Sequence, residues 1–291
     1  MGFVDLHTHS NASDGSFTPV QVVHLAKESG LCAIALTDHD TTAGIADAAA
    51  AGKNLGVEVV PGIEVSSSFE GHEIHILGLF IKPDAPELQS FLKDMRSRRD
   101  RRNQEMLLRL ASNGITFTEE ELSGSNPQSV ITRAHVARAM VQKGICSSVN
   151  QAFKKYLEYG GRYCPPKEYT EPESVIKILL KNGAFAALAH PFLYKLGDKK
   201  TNVLITRLAD AGMQGLEVYH SSNHPMESRK LQEIAASLKL LPTGGSDFHG
   251  SCKPDISIGT GRGGLRVSEL LLDDIRSRVR QSRISQPEEE V

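Results

Sequence analysis

The sequence predicts an α/β fold: parallel strands in a sheet or barrel, broken by a helical insertion. Three observations predict it. Short apolar runs alternate with helix-patterned segments. The runs are continuously apolar, as strands buried on both faces are. Polar residues, histidines above all, recur just after the runs end, where the C-terminal strand ends of α/β barrels carry their chemistry.

In chain order, residues 2–6 form a short apolar strand that runs into His7. A turn rich in Asn, Ser, Asp and Gly follows. Thr18-Pro19 then starts a helix, with Thr as N-cap and Pro at the first helical position; Val22, Val23, Leu25 and Ala26 give its apolar face and Gly30 ends it. Residues 32–36 are the next strand, ending in Thr37-Asp38-His39-Asp40, and an alanine-rich helix spans 43–52. Residues 58–63 lead into Glu64, and 72–80 form a strand that contains His75. Later strands at 184–189, 215–219 and 240–244 run into His190-Pro191, His220 and Gly245-Ser246-Asp247-Phe248-His249. Between them the rhythm breaks. Residues 93–114 and 134–143 read as helices, and no strand is evident nearby. The division is therefore a first barrel part at 1–86, a helical insertion at 87–161 serving as lid or substrate wall, a second barrel part at 162–285, and a disordered acidic tail at 286–291.

Composition excludes several classes. The 291 residues are 40% hydrophobic and 23% charged, with a formal net charge of -2. This is an ordinary globule, with no global basic surface for nucleic acid or membrane. The four cysteines are scattered and form no CxxC pair, so free thiols in a reducing compartment are expected. Neither a leader-like start nor a membrane-spanning apolar run is evident. A cytoplasmic protein with no membrane contact and no obligate protein partner is expected.

The eleven histidines are unevenly placed. His7 and His9 lie two apart at a strand end, so in extended chain both imidazoles reach one ion. Asp247 and His249 repeat that spacing. With Asp14, His39, Glu64, His75 and His190, the candidate ligands number six His, two Asp and one Glu. At about four to six ligands per ion, the set suits two or three metals, with Glu64 as a bridge. Imidazole and carboxylate without thiolate favour Mn²⁺, Zn²⁺ or Fe²⁺. Such a centre activates water near neutral pH and offsets charge on a phosphoryl oxygen. The same equipment would serve amide hydrolysis.

Asp5-Leu6-His7-Thr8-His9-Ser10, Ser13-Asp14-Gly15 and Thr37-Asp38-His39-Asp40-Thr41 resemble the PHP (polymerase and histidinol phosphatase) superfamily. Gly62-Ile63-Glu64-Val65-Ser66, His75-Ile76-Leu77-Gly78, Ala189-His190-Pro191 and the segment ending in His249 complete the set in order, so the resemblance covers nearly the whole chain. It implies a distorted (β/α)₇ TIM-like barrel with a trinuclear metal centre. One ion would take His7, His9, Glu64 and Asp247; a second would share Glu64 and add His75 and His190; the third would take Asp14, His39 and His249. Histidinol-phosphatase-like members carry a histidine where Asp14 stands, which bears on the third site. The insertion, with Thr132-Arg133-Ala134-His135, looks like the branch of nucleoside 3′,5′-bisphosphate phosphatases and 5′→3′ exoribonucleases. That implies that Arg133 and His135 reach a substrate phosphate, beside a helix start that itself favours an anion.

The expected activity is hydrolysis of nucleotide phosphate esters, 3′,5′-bisphosphonucleotides or the 5′ ends of short RNA, by metal-activated water. Manganese is the first choice of metal, and no side-chain general acid is assigned. The alternatives are a histidinol-phosphate-type phosphatase and an amidohydrolase. Among secondary residues, His224 is a candidate phosphate or base contact, and His220 reads equally as a surface residue. The arginines between 96 and 102 read as a solvated helix surface of which one or two face the site. Asp38 and Asp40 either orient ligands or support their loop.

Overall fold

The computed structural model describes residues 2–123, 130–166, 168 and 170–285. The tail expected at 286–291 lies outside them.

Among the described residues, eight strands make one sheet: β1 (Phe3–Thr8), β2 (Ala33–Leu36), β3 (Glu58–Phe69), β4 (His72–Leu79), β5 (Phe185–Leu188), β6 (Gly215–His220), β7 (Leu241–Gly245) and β8 (Val267–Ser268), in the order β7-β6-β5-β4-β3-β2-β1-β8. The sheet curls into a nearly closed barrel. Past the ends of β1 and β7 the chain is stitched by Asp247 N–H to His7 O (2.9 Å) and His9 N–H to Phe248 O (2.9 Å). Glycine makes this approach possible, since a Cβ on Gly245 would lie 2.4 Å from the His7 backbone nitrogen.

Parallel pairing holds for β1–β2–β3 and β5–β6–β7. The middle departs from the expected all-parallel pattern. β3 continues past Glu64 to Phe69, turns at Glu70-Gly71 and pairs antiparallel with β4, which is itself antiparallel to β5. His75 thus sits inside a returning strand, opposite Ser66, and not at a strand end. The short β8, antiparallel to β1, adds a strand to the seven that the resemblance implies.

The helices are α1 (Pro19–Glu28), α2 (Ile45–Leu55), α3 (Pro86–Ala111), α4 (Glu119–Ser123), α5 (Arg133–Gln142), α6 (Val149–Lys155), α7 (Pro172–Lys181), α8 (Asp198–Asp210), α9 (Pro225–Ser237) and α10 (Glu269–Ser285). α1 begins as its sequence dictates, with Thr18 and Gln21 closing a capping box and Pro19 at the first position. Inside the barrel, Val4, Leu6, Ala33, Ala35, Leu77, Leu79 and Phe185 pack with Leu272, Ile275 and Val279 of α10. Outside it, α1 and α2 cover one side, and α7, α8, α9 and the first half of α3 cover another.

α3 starts seven residues before the expected helix, because Pro86 suits a first turn. Its 26 residues reach about 39 Å, so it serves two cores. Leu88, Leu92 and Met95 belong to the barrel cluster. Met106 and Leu110 belong to a separate one with Val136, Met140, Leu157 and Cys164, built on α5 and α6.

Candidate metal centre

The interior of the barrel changes character along its axis. Val60 and Gly62 of β3 face inward on the apolar side, and Glu64, two residues on, faces the opening. Leu79, Leu77 and His75 make the same transition on β4. Each strand thus anchors its polar residue with its own apolar residues.

Two irregularities re-aim strands that would otherwise point away. The β1–β2 register shifts between Asp5 and Thr8. This turns His7 and His9 inward, while Asp5 accepts from Ser246 N–H (2.8 Å) and Gly259 N–H (2.7 Å). The β6–β7 register shifts between Glu217 and Tyr219. In a regular strand Glu217 and His220, three apart, would face opposite ways; here both reach the centre. His220 is buried, 3% exposed, with Nε2 3.6 Å from Asp247, which corrects the surface reading. Backbone strain adds to the aiming: Asp40 (φ 53°), His190 (φ 25°) and Asp247 (φ 58°), three of the seven described non-glycine residues with positive φ, stand at the centre, where such strain tends to collect.

All nine candidate ligands converge. Glu64 lies at the middle, with one carboxylate oxygen 3.4 Å from His7 Nε2, 3.3 Å from His9 Nε2 and 3.1 Å from His39 Nδ1. Its other oxygen is 2.9 Å from His75 Nδ1 and 3.0 Å from His190 Nε2. Asp247 Oδ1 lies 3.4 Å from His9 Nε2, and Asp14 Oδ1 lies 3.2 Å from His249 Nε2. Ligand atoms close enough to share an ion fall into four overlapping groups: His7/His9/Asp247, His7/Glu64/His190, His39/Glu64/His75 and His9/Asp14/His39/His249.

These atoms are buried, yet among the described residues His7 Nε2, both His9 nitrogens, Asp14 Oδ1, His39 Nδ1, Glu64 Oε2 and His75 Nδ1 have no partner in hydrogen-bond geometry. Each such group costs about 1–3 kcal/mol if left alone. A cluster of them aimed at common points fits divalent cations. Burial pushes the His9 imidazole down, but Asp247 and Glu64 outweigh it and raise it to about 9. Burial dominates at His39 and takes it down to about 3. Burial opposes ionisation of Glu64, yet the His39, His75 and His7 imidazoles hold it well below the usual carboxylate range.

A further set of residues positions the ligands. Glu217, fully buried, accepts from His7 Nδ1–H (2.9 Å) and from His190 N–H (2.7 Å); this presents His7 Nε2 to the centre. Lys253 Nζ lies 2.5 Å from Asp247 Oδ2. Asp38 accepts from Ser10 Oγ (2.6 Å) and Ser13 Oγ (2.6 Å), and so supports the loop, as does Asp40 through Ser66 N–H (2.8 Å). Sequence reasoning missed Glu217 and Lys253. A carboxylate inside the apolar strand Gly215-Leu216-Glu217-Val218 was the available signal.

Helix α5 starts against the centre. Thr132 Oγ1 donates to Asp14 Oδ2 (3.3 Å) and Arg138 donates to Asp14 O (3.0 Å). A cavity of about 150 Å³ opens between Asp14, His39 and His75 on one wall and Arg99, Arg102 and Arg133 on the other. Arg133 pairs with Glu73 (2.8 Å) and lies over the Tyr159 ring, 3.6 Å from its centroid. His135 does not line this cavity: its Nδ1 accepts the Thr132 N–H (3.0 Å), and burial takes it down to about 4. Of the arginines on α3, Arg99 turns inward to pair with Asp40 and Arg102 bonds Tyr159 (3.0 Å), while Arg98 and Arg101 reach Glu168 at the surface. His224 lies elsewhere, exposed at the start of α9.

Fold and site together define a metal-dependent hydrolase on an α/β barrel. Residues 5–163 match the family model described as PHP domain. The 5′-3′ exoribonuclease Rnm of Escherichia coli is 37% identical over 257 residues, covering 88% of this chain and 87% of that protein. A 3′,5′-nucleoside bisphosphate phosphatase of Chromobacterium violaceum is 36% identical over 251 residues, covering 86% and 88%. A solved structure described as an amidohydrolase from Chromobacterium violaceum, with bound sulfate and no metal, superposes with a TM-score of 0.83 at 32% identity over 94% of this chain and 96% of that one. The chain belongs to the PHP domain family. It is a metal-dependent phosphoesterase. No helix among the described residues is long and apolar enough to cross a membrane.

Proposed function

We propose that the protein hydrolyses nucleotide phosphate esters, 3′,5′-bisphosphonucleotides or the 5′ ends of short RNA, with two or three divalent ions, manganese foremost and zinc or iron(II) as alternatives. The observation that carries this is the cavity in which guanidinium groups face candidate metal ligands. A monophosphate needs only the centre. A second anionic site beside it selects a substrate with a second phosphate, and guanidinium matches phosphate in a two-pronged fashion.

His7, His9, Glu64 and Asp247 would hold one ion, Glu64, His75 and His190 a second, and Asp14, His39 and His249 a third. When bound, the ions activate water and offset charge on the phosphoryl oxygens. The chain itself does the rest. Glu217 fixes the His7 tautomer. Thr132 and Arg138 hold the Asp14 loop. Arg133, with Arg99 and Arg102, receives the second phosphate, which displaces the Glu73 carboxylate from Arg133. His135 acts at one remove, by fixing the helix start on which Arg133 stands. The segment 87–161 is the substrate wall.

The test is a panel run with manganese: 3′-phosphoadenosine 5′-phosphate, 5′-phosphorylated short RNA, histidinol phosphate and a set of amides. Release of phosphate or 5′-mononucleotide from the first two is expected. Turnover of amides alone, or of histidinol phosphate alone, overturns the reading. Arg133→Ala should raise KM for the bisphosphate about 10- to 100-fold, the worth of one charge-assisted contact, while hydrolysis of phenyl phosphate changes little.

A further inference from the structure

A second depression, distinct from the Arg133 cavity, adjoins the centre at His220, whose Nε2 lies 3.6 Å from Asp247. It has a volume of about 880 Å³ and runs between the β6–α9 loop and the loop around Arg262. No described residue lines both it and the Arg133 cavity. His220 stands where the groove meets the centre; it is 3% exposed, and its Nε2 has no hydrogen-bond partner among the described residues. Ser221 and Ser222 form the floor, pinned by Ser221 Oγ–H to Ser246 O (2.5 Å) and by Arg262 to Ser222 Oγ (2.8 Å). Arg229, on the first turns of α9, and Arg266, on the facing loop, line its outer part and are exposed. The N-terminus of the 13-residue α9, with His224 at its cap, opens onto the same groove.

A nucleoside bisphosphate has nothing to place here. Its two phosphates are separated by one ribose, and the centre and the Arg133 cavity hold both. A polynucleotide whose 5′-phosphate sits in that cavity must continue past the centre and leave on the other side. The groove reaches the centre at His220 and offers cationic and hydroxyl groups, Arg229, Arg262, Arg266, Ser221 and Ser222, suited to phosphates and not to base edges. We propose that it binds the phosphodiester backbone of single-stranded RNA on the 3′ side of the bond being cleaved. The inference rests on the functional reading above and narrows it: of the two substrate types, RNA is the one that uses the whole surface.

The test compares the manganese-loaded wild type with Arg229→Glu/Arg266→Glu, two exposed positions outside the centre and its cavity, checked for folding by thermal melting. Substrates are 3′-phosphoadenosine 5′-phosphate and 5′-phosphorylated RNA of two, four and eight nucleotides. For the wild type, KM should fall about tenfold from two to eight nucleotides. For the variant, KM for the octamer should rise at least tenfold, with a salt dependence shallower by about 1.4 in log–log slope for two lost contacts to a single strand, while KM for the bisphosphate stays within twofold. A wild-type KM that ignores length, or equal losses on octamer and bisphosphate, overturns the groove. Anisotropy of a fluorescein-labelled octamer with metal-free protein separates the two claims. Binding weakened tenfold in the variant supports the groove even if no substrate is turned over, a result that would sink the functional reading alone. Absence of octamer binding by the wild type sinks the groove.

Discussion

Glu217 is the residue whose role is most sharply defined by its contacts. It uses one oxygen on His7 Nδ1 and the other on His190 N–H, so both must accept. Glu217→Gln keeps the size but turns one acceptor into a donor. Metal affinity should fall about 10- to 100-fold, as for other losses of a ligand's supporting partner; a titration followed by calorimetry reads it, and an unchanged affinity would assign Glu217 to packing alone. His9 supplies a second prediction. In the metal-free fold it is raised to about 9 from 6.5. Its protonated form therefore contributes stability that is complete below about pH 6.5 and lost as pH rises through about 9. Metal must displace that proton, so affinity should rise with pH across this window. A metal affinity flat between pH 6 and 9 would contradict it.

At the scale of elements, the seam between the ends of β1 and β7 tolerates little change, because it sets His7 against Asp247. Gly245→Ala would force a Cβ to 2.4 Å from His7 Cβ and N. The expected cost is about 1–3 kcal/mol, a fall of several degrees in Tm, with reduced metal content by elemental analysis. The elements also show what the sequence made legible. Strand ends marked by His7, His39, His190 and Asp247 were readable, as was Glu64, although β3 runs on past it to Phe69, because apolar runs stopping at polar residues carry both fold and site. The antiparallel return of β4 was not. A strand buried on both faces looks the same in either direction, and only the Glu70-Gly71 turn hinted at reversal. Nor was His220 readable as part of the centre. A period-two reading separates it from Glu217, and the register shift that unites them depends on β7, which comes later in the chain. Asp14 was found from its motif, but its tie to Thr132 joins residues too far apart for spacing to reveal.

For the whole molecule, the buried cluster of candidate ligands predicts that bound metal adds to the fold's stability. At ion concentrations about 1,000 times Kd, binding adds about 4 kcal/mol, or roughly 10 °C in Tm for a chain of this size. Chelation should lower Tm by that order and manganese should restore it, as differential scanning fluorimetry would show; an indifferent Tm would mean that the cluster is stable without cations. The apolar cluster of Met106, Leu110, Val136 and Met140 has a different bearing, on how the chain finds this structure. Ile76 of β4 must pair with Leu188 of β5 across the entire intervening segment, and closing so long an unstructured loop is entropically unfavourable. A segment that first condenses around its own short-range contacts brings those two strands together ahead of time. The helical insertion would then also act as a folding device: the amides of α5 and α6 should gain protection from hydrogen exchange before those of β4 and β5.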